Sequence, residues 1–263
     1  MAIKFTLLGG LIYLAMTCYL AAAVLLAARR KGLGQGVYFL GFVVMIAAFV
    51  VRWSEVEHAP LQNMFEVFLC LGMLIYPISW FCRRFLRVGG EAADAGFIGV
   101  LVLAPAGFVF SASPEKLPPA LQSPLFVPHV AAYMLSYIIL AKAAVQAIAV
   151  LVGRRQSDVE LVSYEQGAYR IAKLGFPLLT IGLVLGAWWA KLAWGDFWSW
   201  DPKELWSLVS WLVFLGYFHV RHMFGTKYPR LNAALVTAGL AAILMTLFVV
   251  NLARIFAGLH SYA

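Results

Sequence analysis

Residues 171–221 read IAKLGFPLLTIGLVLGAWWAKLAWGDFWSWDPKELWSLVSWLVFLGYFHVR and contain the pattern that decides the fold. Two continuous apolar runs, 171–191 and 205–221, flank a short segment rich in tryptophan, 192–204. A helix needs about 20 mostly apolar residues to cross the hydrocarbon core of a bilayer. Barrel strands would instead alternate apolar and polar side chains. The pattern therefore predicts two transmembrane helices joined by a short loop at one membrane surface.

The composition of the whole chain also indicates a membrane protein. Of the 263 residues, 63% are hydrophobic and 12% are charged, and the mean hydropathy is +0.86. Soluble domains carry about 25% charged residues, so a water-soluble globule is excluded. We expect one all-α domain over residues 1–263, a polytopic transmembrane helix bundle. The predicted spans cover about 5–28, 36–51, 64–82, 95–111, 127–152, 171–191, 205–221 and 232–250.

The basic residues predict the orientation of these eight spans. Cytoplasmic loops carry an excess of Lys and Arg. One alternating set of connections holds thirteen of the 20 Lys and Arg residues, and the other set holds six. The richer set comprises Arg29, Arg30, Lys31, Arg83, Arg84, Arg87, Arg154, Arg155, Arg170, Lys173, Arg221, Lys227 and Arg230. We therefore expect both termini and the tryptophan loop on the outer face. Since this bias accounts for the net charge of +8, no nucleic-acid partner is expected.

The cysteines and short motifs exclude several functions. Cys18, Cys70 and Cys82 lie in or beside apolar runs, and neither CxxC nor CxxCH occurs in the sequence. The chain is therefore neither a thioredoxin-like protein nor itself a c-type cytochrome. No P-loop or HExxH motif supports nucleotide or hydrolytic chemistry. The apolar N-terminal stretch lacks a convincing cleavage site, which favours a retained first span over a signal peptide.

The tryptophan loop, residues 192–204, and the helix ends beside it hold the densest chemistry. Seven of the nine tryptophans fall within residues 188–211. An aromatic belt at the membrane interface is one interpretation, but a belt is spread over many helix ends, and this concentration favours a platform for a flat apolar ligand. Asp201, Pro202 and Glu204 read as an N-cap, a first helical position and a capping-box partner. We expect these residues to scaffold the indoles of Trp198 and Trp200 rather than to act as catalytic carboxylates.

The same loop carries a family resemblance. WGDFWSWDPKE resembles the "WWD" signature of the haem-handling family that includes CcsA/ResC of cytochrome c biogenesis system II and CcmC and CcmF of system I. The segments HAPLQNMFE, LQSPLFVPHVAAYMLSY, ELWSLVSWLVFLGYFHVR and GLHSYA look specifically like CcsA. The resemblance covers nearly the whole chain, in order.

The resemblance implies roles for three of the five histidines. It makes His129 and His260 the outer axial ligands of haem iron, a role that neutral imidazole commonly fills. It makes His219 a membrane-embedded ligand, and fifteen helical residues after Glu204 place this histidine about 22 Å along the helix. His222, three residues on, remains an alternative to His219, and His58 is expected to be structural. The implied haem-binding positions in the loop are Trp194, Trp198, Trp200 and Asp201.

The function implied by the resemblance is attachment of haem to apocytochrome c. Haem b would enter near His219 and move to the outer face, where its vinyl groups meet the CxxCH thiols of the apocytochrome. A ResB/CcsB-type membrane subunit would supply the companion of His219, and separate thiol-reducing proteins would act on the clients. The membrane would be the bacterial plasma membrane or the thylakoid membrane. The alternatives are a haem transporter or delivery chaperone without attachment activity, a b-type electron-transfer subunit, and a regulatory membrane subunit.

Overall fold

A computed structural model describes residues 3–156 and 158–249, and within these ranges it contains helices and no strand. This confirms the all-α prediction. The long helices are α1 (Leu7–Ala27), α2 (Lys31–Val56), α3 (Met64–Leu86), α4 (Glu91–Phe108), α5 (Phe126–Leu151), α6 (Tyr164–Trp194), α7 (Pro202–Phe224) and α8 (Pro229–Leu244). A π-helical turn lies inside α4 at Asp94–Gly99, and another follows α8 at Met245–Val249.

Each predicted span corresponds to one of these helices. Seven of them are long and apolar enough to cross a membrane, where α8 is counted together with the π-helical residues up to Phe248. The remaining helix, α7, has 23 residues, but polar side chains occupy both of its ends. Glu204 lies in its first turn, and Arg221 and His222 lie in its last turn. The outward orientation of the termini stays a prediction.

The helices extend beyond several predicted boundaries, because local capping rather than hydropathy ends a helix. α2 was expected at 36–51 but covers the 26 residues Lys31–Val56, and its C-cap Glu57 has a left-handed φ of 60°. α6 begins after Ser163, whose side chain accepts a hydrogen bond from the amide of Gln166, and ends at Trp194, before the C-cap Gly195 with a φ of 96°. The segment between α6 and α7 is therefore 195–201, shorter than the expected loop at 192–204.

Contacts divide the chain into two compact units. Among the described residues, the first comprises 3–84 and 89–119, and the second comprises 85–88 and 120–249 without 157. That residues 1–263 form one domain stays a prediction.

In the first unit, Tyr19 of α1 joins three helices. Its hydroxyl donates a hydrogen bond to the carbonyl of Gly72 on α3 at 2.9 Å. Its ring lies against Gly41 of α2, where a Cβ would approach a ring carbon to 2.6 Å. Only glycine permits this contact, so Gly41 sets the close approach of α1 and α2.

In the second unit, α5 and α6 pack closely, and this pairing positions the candidate site. Gly175, Gly182 and Gly186 of α6 all lie against side chains of α5, as expected where small residues let membrane helices approach. The hydroxyl of Ser136 on α5 donates to the carbonyl of Gly175 at 3.0 Å. At the other end of α6, Glu165 forms an ion pair of 2.9 Å with Arg221 of α7.

Candidate functional site

His129 lies in the first turn of α5 and is half-buried. Its Nδ1 lies 2.9 Å from the carbonyl oxygen of Gly182 on α6. A carbonyl oxygen only accepts hydrogen bonds, so Nδ1 must carry the proton. The neutral ring is therefore the Nδ1–H tautomer, in which Nε2 has the lone pair.

Aromatic rings surround His129 on two sides. The imidazole stacks on the indole of Trp189 with ring centroids 5.8 Å apart and an interplanar angle of 25°. Tyr133 meets the same imidazole edge-on at 5.1 Å. Trp189 in turn meets Trp194 at 4.8 Å. Trp189 thus links the histidine to one of the tryptophans that the sequence assigned to the site.

Trp189 is itself held firmly. Its side chain is only 3% exposed. Its Nε1 donates a hydrogen bond of 2.9 Å to the carbonyl of Ala120, in the 3-10 turn that precedes α5. Burial and a satisfied N–H fix the position of this indole ring, so His129 has a fixed surface on which to stack.

The start of α7 confirms the predicted capping box. The Asp201 side chain accepts from the amide of Lys203 at 2.8 Å, and Pro202 occupies the first helical position. The Glu204 carboxylate reaches back to the amide of Asp201 at 3.2 Å and to the amide of Ser199 at 2.8 Å. Asp201 and Glu204 are both buried, as expected for side chains that scaffold the loop.

Trp198 and Trp200 form a second aromatic pair in the loop. Their ring centroids are 6.1 Å apart at an interplanar angle of 86°. Trp200 is 66% exposed and has a φ of 59°, in the left-handed region. Such a conformation costs a bulky residue about 1–3 kcal/mol and tends to occur at functional sites. The loop therefore holds an exposed indole against its backbone preference.

Lys203 lies just before the span predicted at 205–221 and is perturbed by its surroundings. Burial lowers the pKa of its ammonium group to about 8, while the nearby Asp201 carboxylate raises it. The effect of desolvation exceeds that of the carboxylate here, so the net shift of the pKa is downward.

His219 occupies a different position from His129. It is exposed on the surface of the second unit, and its Nδ1 bonds the carbonyl of Leu215 in the same helix at 2.9 Å. The same side of the helix carries four further exposed residues, which lie three, four or seven positions apart along the chain: Leu205, Val209, Leu212 and Met223. Together these five residues form the His219 face of α7. His222 is exposed as well.

The remaining two histidines have separate outcomes. His58, in the first unit, contacts the carbonyls of Ala59 at 3.0 Å and Glu115 at 3.2 Å, which fits the structural role expected of it. His260 lies outside the described residues, so its pairing with His129 stays a prediction.

The sequence did not predict Gly182 and Gly186 at this site, and it offered Trp189 only as one of the seven clustered tryptophans, without a contact to His129. They occur at spacings of four and three residues along α6 and hence share one helical face. This periodicity was visible in the sequence. However, periodicity alone does not reveal that this face meets His129 of α5.

The fold and the site together define a polytopic helical membrane protein with a histidine set among indoles at one end of a helix bundle. The sequence profile described as "Cytochrome C assembly protein" matches residues 10–257. The chain belongs to this family, and within it to the CcsA cytochrome c biogenesis proteins.

Individual relatives support the assignment. The chain is 32% identical over 291 residues to "Cytochrome c biogenesis protein CcsA" of Synechococcus sp. (strain CC9605), covering 97% of this chain and 94% of that protein. It is 33% identical over 262 residues to the protein of the same name from Prochlorococcus marinus (strain MIT 9303), covering 85% and 81%.

A solved structure shares the fold. "Cytochrome c Heme Lyase CcmF" superposes with a TM-score of 0.71 at 22% identity, over 94% of this chain. This chain spans 48% of the length of that protein.

Proposed function

We propose that this protein presents haem b at the outer membrane face and supports its covalent attachment to the CxxCH thiols of apocytochrome c. In this proposal it is the subunit of a system II cytochrome c synthase that acts together with a ResB/CcsB-type partner. The names of the CcsA relatives and of the structurally similar haem lyase support a role in cytochrome c assembly.

The observation that carries the proposal is the setting of His129. Histidines that ligate metals usually donate their other ring N–H to a carbonyl or carboxylate, and His129 donates from Nδ1 to Gly182. The rings of Trp189 and Trp194 add flat apolar surface beside it, and such surface suits a porphyrin. The donor set and its surroundings therefore fit haem.

The residues of the chain bind and orient the substrate. His129 and, outside the described residues, His260 are the proposed axial ligands, and Trp194, Trp198, Trp200 and Asp201 form or support the aromatic shelf. Haem supplies two vinyl groups, and each thiol S–H adds across one of them without a leaving group. The protein contributes orientation and exclusion of water, while the reactivity belongs to the haem and the thiols.

His219 marks the proposed entry site. Its imidazole is exposed on α7, which leaves it accessible to a side chain of another subunit. An ionisable residue in such a segment is a functional candidate, and haem ligation by His219 and the ResB/CcsB-type subunit is the proposed role. The host membrane is the bacterial plasma membrane or the thylakoid membrane.

The clients must arrive with reduced thiols, and this chain is not the proposed source of the electrons. Cys18, Cys70 and Cys82 are all buried and none forms a disulfide. Buried thiols away from a CxxC motif are poor exchange reagents. Separate thiol-reducing proteins are therefore proposed as partners.

The test is co-expression with the ResB/CcsB-type partner and a reporter apocytochrome c. His129→Ala and His260→Ala should each lower the haem bound by the purified complex and the yield of holocytochrome, while the control His58→Ala should change neither. Unchanged haem and unchanged maturation in both variants would contradict the proposal. Haem delivered to the outer face without thioether formation would favour a transporter, and a reversible haem potential without any maturation defect would favour a b-type subunit.

A further inference from the structure

Gly186 leaves the space that the imidazole of His129 occupies. A Cβ built on Gly186 would lie 2.6 Å from Cε1 of His129 and 2.9 Å from its Nδ1. Real Cβ atoms essentially never approach another heavy atom this closely. Any side chain at this position would therefore move the imidazole or separate α5 from α6.

The carbonyl of Gly182 is the hydrogen-bond partner that this close approach makes reachable. In an α-helix the carbonyl of residue 182 also accepts from the amide of residue 186, and a carbonyl oxygen has two lone pairs to serve both donors. Gly182 has a packing reason of its own, because a Cβ there would lie 3.0 Å from the ring of Tyr133. The two glycines thus present one turn of bare helix backbone to His129.

We infer that Gly186 and the Gly182 carbonyl are positioning elements that hold His129 as its Nδ1–H tautomer and direct Nε2 toward the ligand. The inference rests on the proposed function and deepens it, because it specifies which nitrogen ligates and what sets its orientation. Trp189 completes the arrangement, since stacking at 5.8 Å limits rotation of the ring.

The hydrogen bond has an electronic consequence as well as a geometric one. A carbonyl that accepts a hydrogen bond from Nδ1–H makes Nε2 a stronger electron-pair donor to a metal. A more basic axial imidazole favours the ferric state, so the potential of the ligated iron is lower with this hydrogen bond than without it.

The first experiment compares Gly186→Ala with the matched control Gly10→Ala in the complex with the ResB/CcsB-type partner. Gly10 is also a helix-interior glycine, and a Cβ there would meet no heavy atom within 4 Å. Gly186→Ala should lower outer-haem content by about threefold or more, as expected when roughly one hydrogen bond is lost. Its remaining haem should titrate at a higher midpoint potential, and Gly10→Ala should match wild type in both respects. A wild-type spectrum and potential in a well-expressed Gly186→Ala protein would overturn the inference.

The second experiment remains decisive if Gly186→Ala fails to fold. In His129→Gly, free imidazole can occupy the vacated space and donate an N–H to Gly182, whereas 1-methylimidazole has no N–H to donate. Imidazole should restore the haem spectrum at about three- to tenfold lower concentration, the range of one buried hydrogen bond. Equal restoration by the two compounds would overturn the inference and leave the proposed function intact. Haem that is unaffected by removal of the His129 ring would instead refute the proposed function.

Discussion

The carboxylate of Glu204 holds the backbone on both sides of Trp200. It accepts hydrogen bonds from the amides of Ser199 and Asp201, at 2.8 Å and 3.2 Å. Between them Trp200 adopts a φ of 59° while its ring is largely exposed. A left-handed conformation of a bulky residue persists only where its surroundings impose it. Here the two hydrogen bonds to Glu204 fix the backbone on either side of Trp200 and so impose it.

Replacing Glu204 should therefore release the loop without unfolding the protein. Glu204→Ala leaves two amides without their acceptor, at a local cost of about 1–3 kcal/mol, and Trp200 should relax to a negative φ. We expect several-fold lower haem content, with Glu204→Gln intermediate because its amide oxygen can still accept. Glu160→Ala, an exposed glutamate of the same unit, is the control. Equal haem content in Glu204→Ala and wild type would contradict this prediction.

The helices were predictable from the sequence because a bilayer requires long continuous apolar runs. Their ends were less predictable, because they depend on local features such as the left-handed Glu57 and the Ser163 cap. The capping box at Asp201 and Glu204 was predictable, since its spacing is encoded within four residues. The polar ends of α7 lower its mean hydropathy. The span at 205–221 was predicted from the apolar residues in the middle of this helix.

The candidate site was only partly predictable for a related reason. His129 and the loop tryptophans were identified through the family resemblance, which names residues without giving their contacts. The stacking of His129 on Trp189 depends on the relative rotation and depth of α5 and α6. Those quantities are fixed by side-chain packing between helices, such as that of Gly182 against Tyr133, and no local pattern contains them.

The first unit contains a buried ion pair whose loss should be costly. Arg52 and Glu66 are 0% and 1% exposed and approach to 2.8 Å. Removing one partner of a buried pair leaves an uncompensated charge, which typically costs about 3–5 kcal/mol. We expect Glu66→Ala to lower the thermal stability of the purified protein strongly. The carboxylate of Glu55 is 38% exposed and lies 3.5 Å from Arg52. Glu55→Ala should therefore lower the free energy of unfolding by less than about 1 kcal/mol. Equal destabilisation by the two substitutions would contradict this ranking.

Arg52 also fastens the segment after α4. Its guanidinium donates to the carbonyls of Ala112 at 2.7 Å and Ser113 at 3.2 Å. Arg52→Ala should release this segment, because it removes both bonds. Limited tryptic cleavage after Lys116 should then be faster than in wild type, and faster than in Glu55→Ala. An unchanged cleavage rate would show that other contacts suffice to hold the segment.

His219 should matter only when the partner subunit is present. Its ring is exposed and bonds a carbonyl of its own helix, so His219→Ala should leave the abundance and stability of the isolated chain unchanged. In the complex, the same substitution should remove the membrane-embedded haem and leave the outer haem in place. His222→Ala is the matched control, three residues along the same helix and also exposed. Loss of that haem in His222→Ala but not in His219→Ala would assign ligation to His222.

The pH dependence of Lys203 tests the electrostatics beside the loop. Its pKa is lowered to about 8 in the folded protein from an ordinary value of 10.5, so the unfolded chain binds more protons between these two values. Stability contributed by this group therefore rises with pH across that window, and below it the buried charge is a constant penalty. Lys203→Met should raise the melting temperature at pH 7, and the gain should shrink as the pH approaches 10.5.

Labelling of the Lys203 amine with acetic anhydride should show a midpoint near pH 8 in wild type and a lower one in Asp201→Asn. Asparagine still caps the helix but no longer supplies the charge that raises the pKa. A midpoint that stays unchanged or rises in Asp201→Asn would mean that this carboxylate does not act on Lys203.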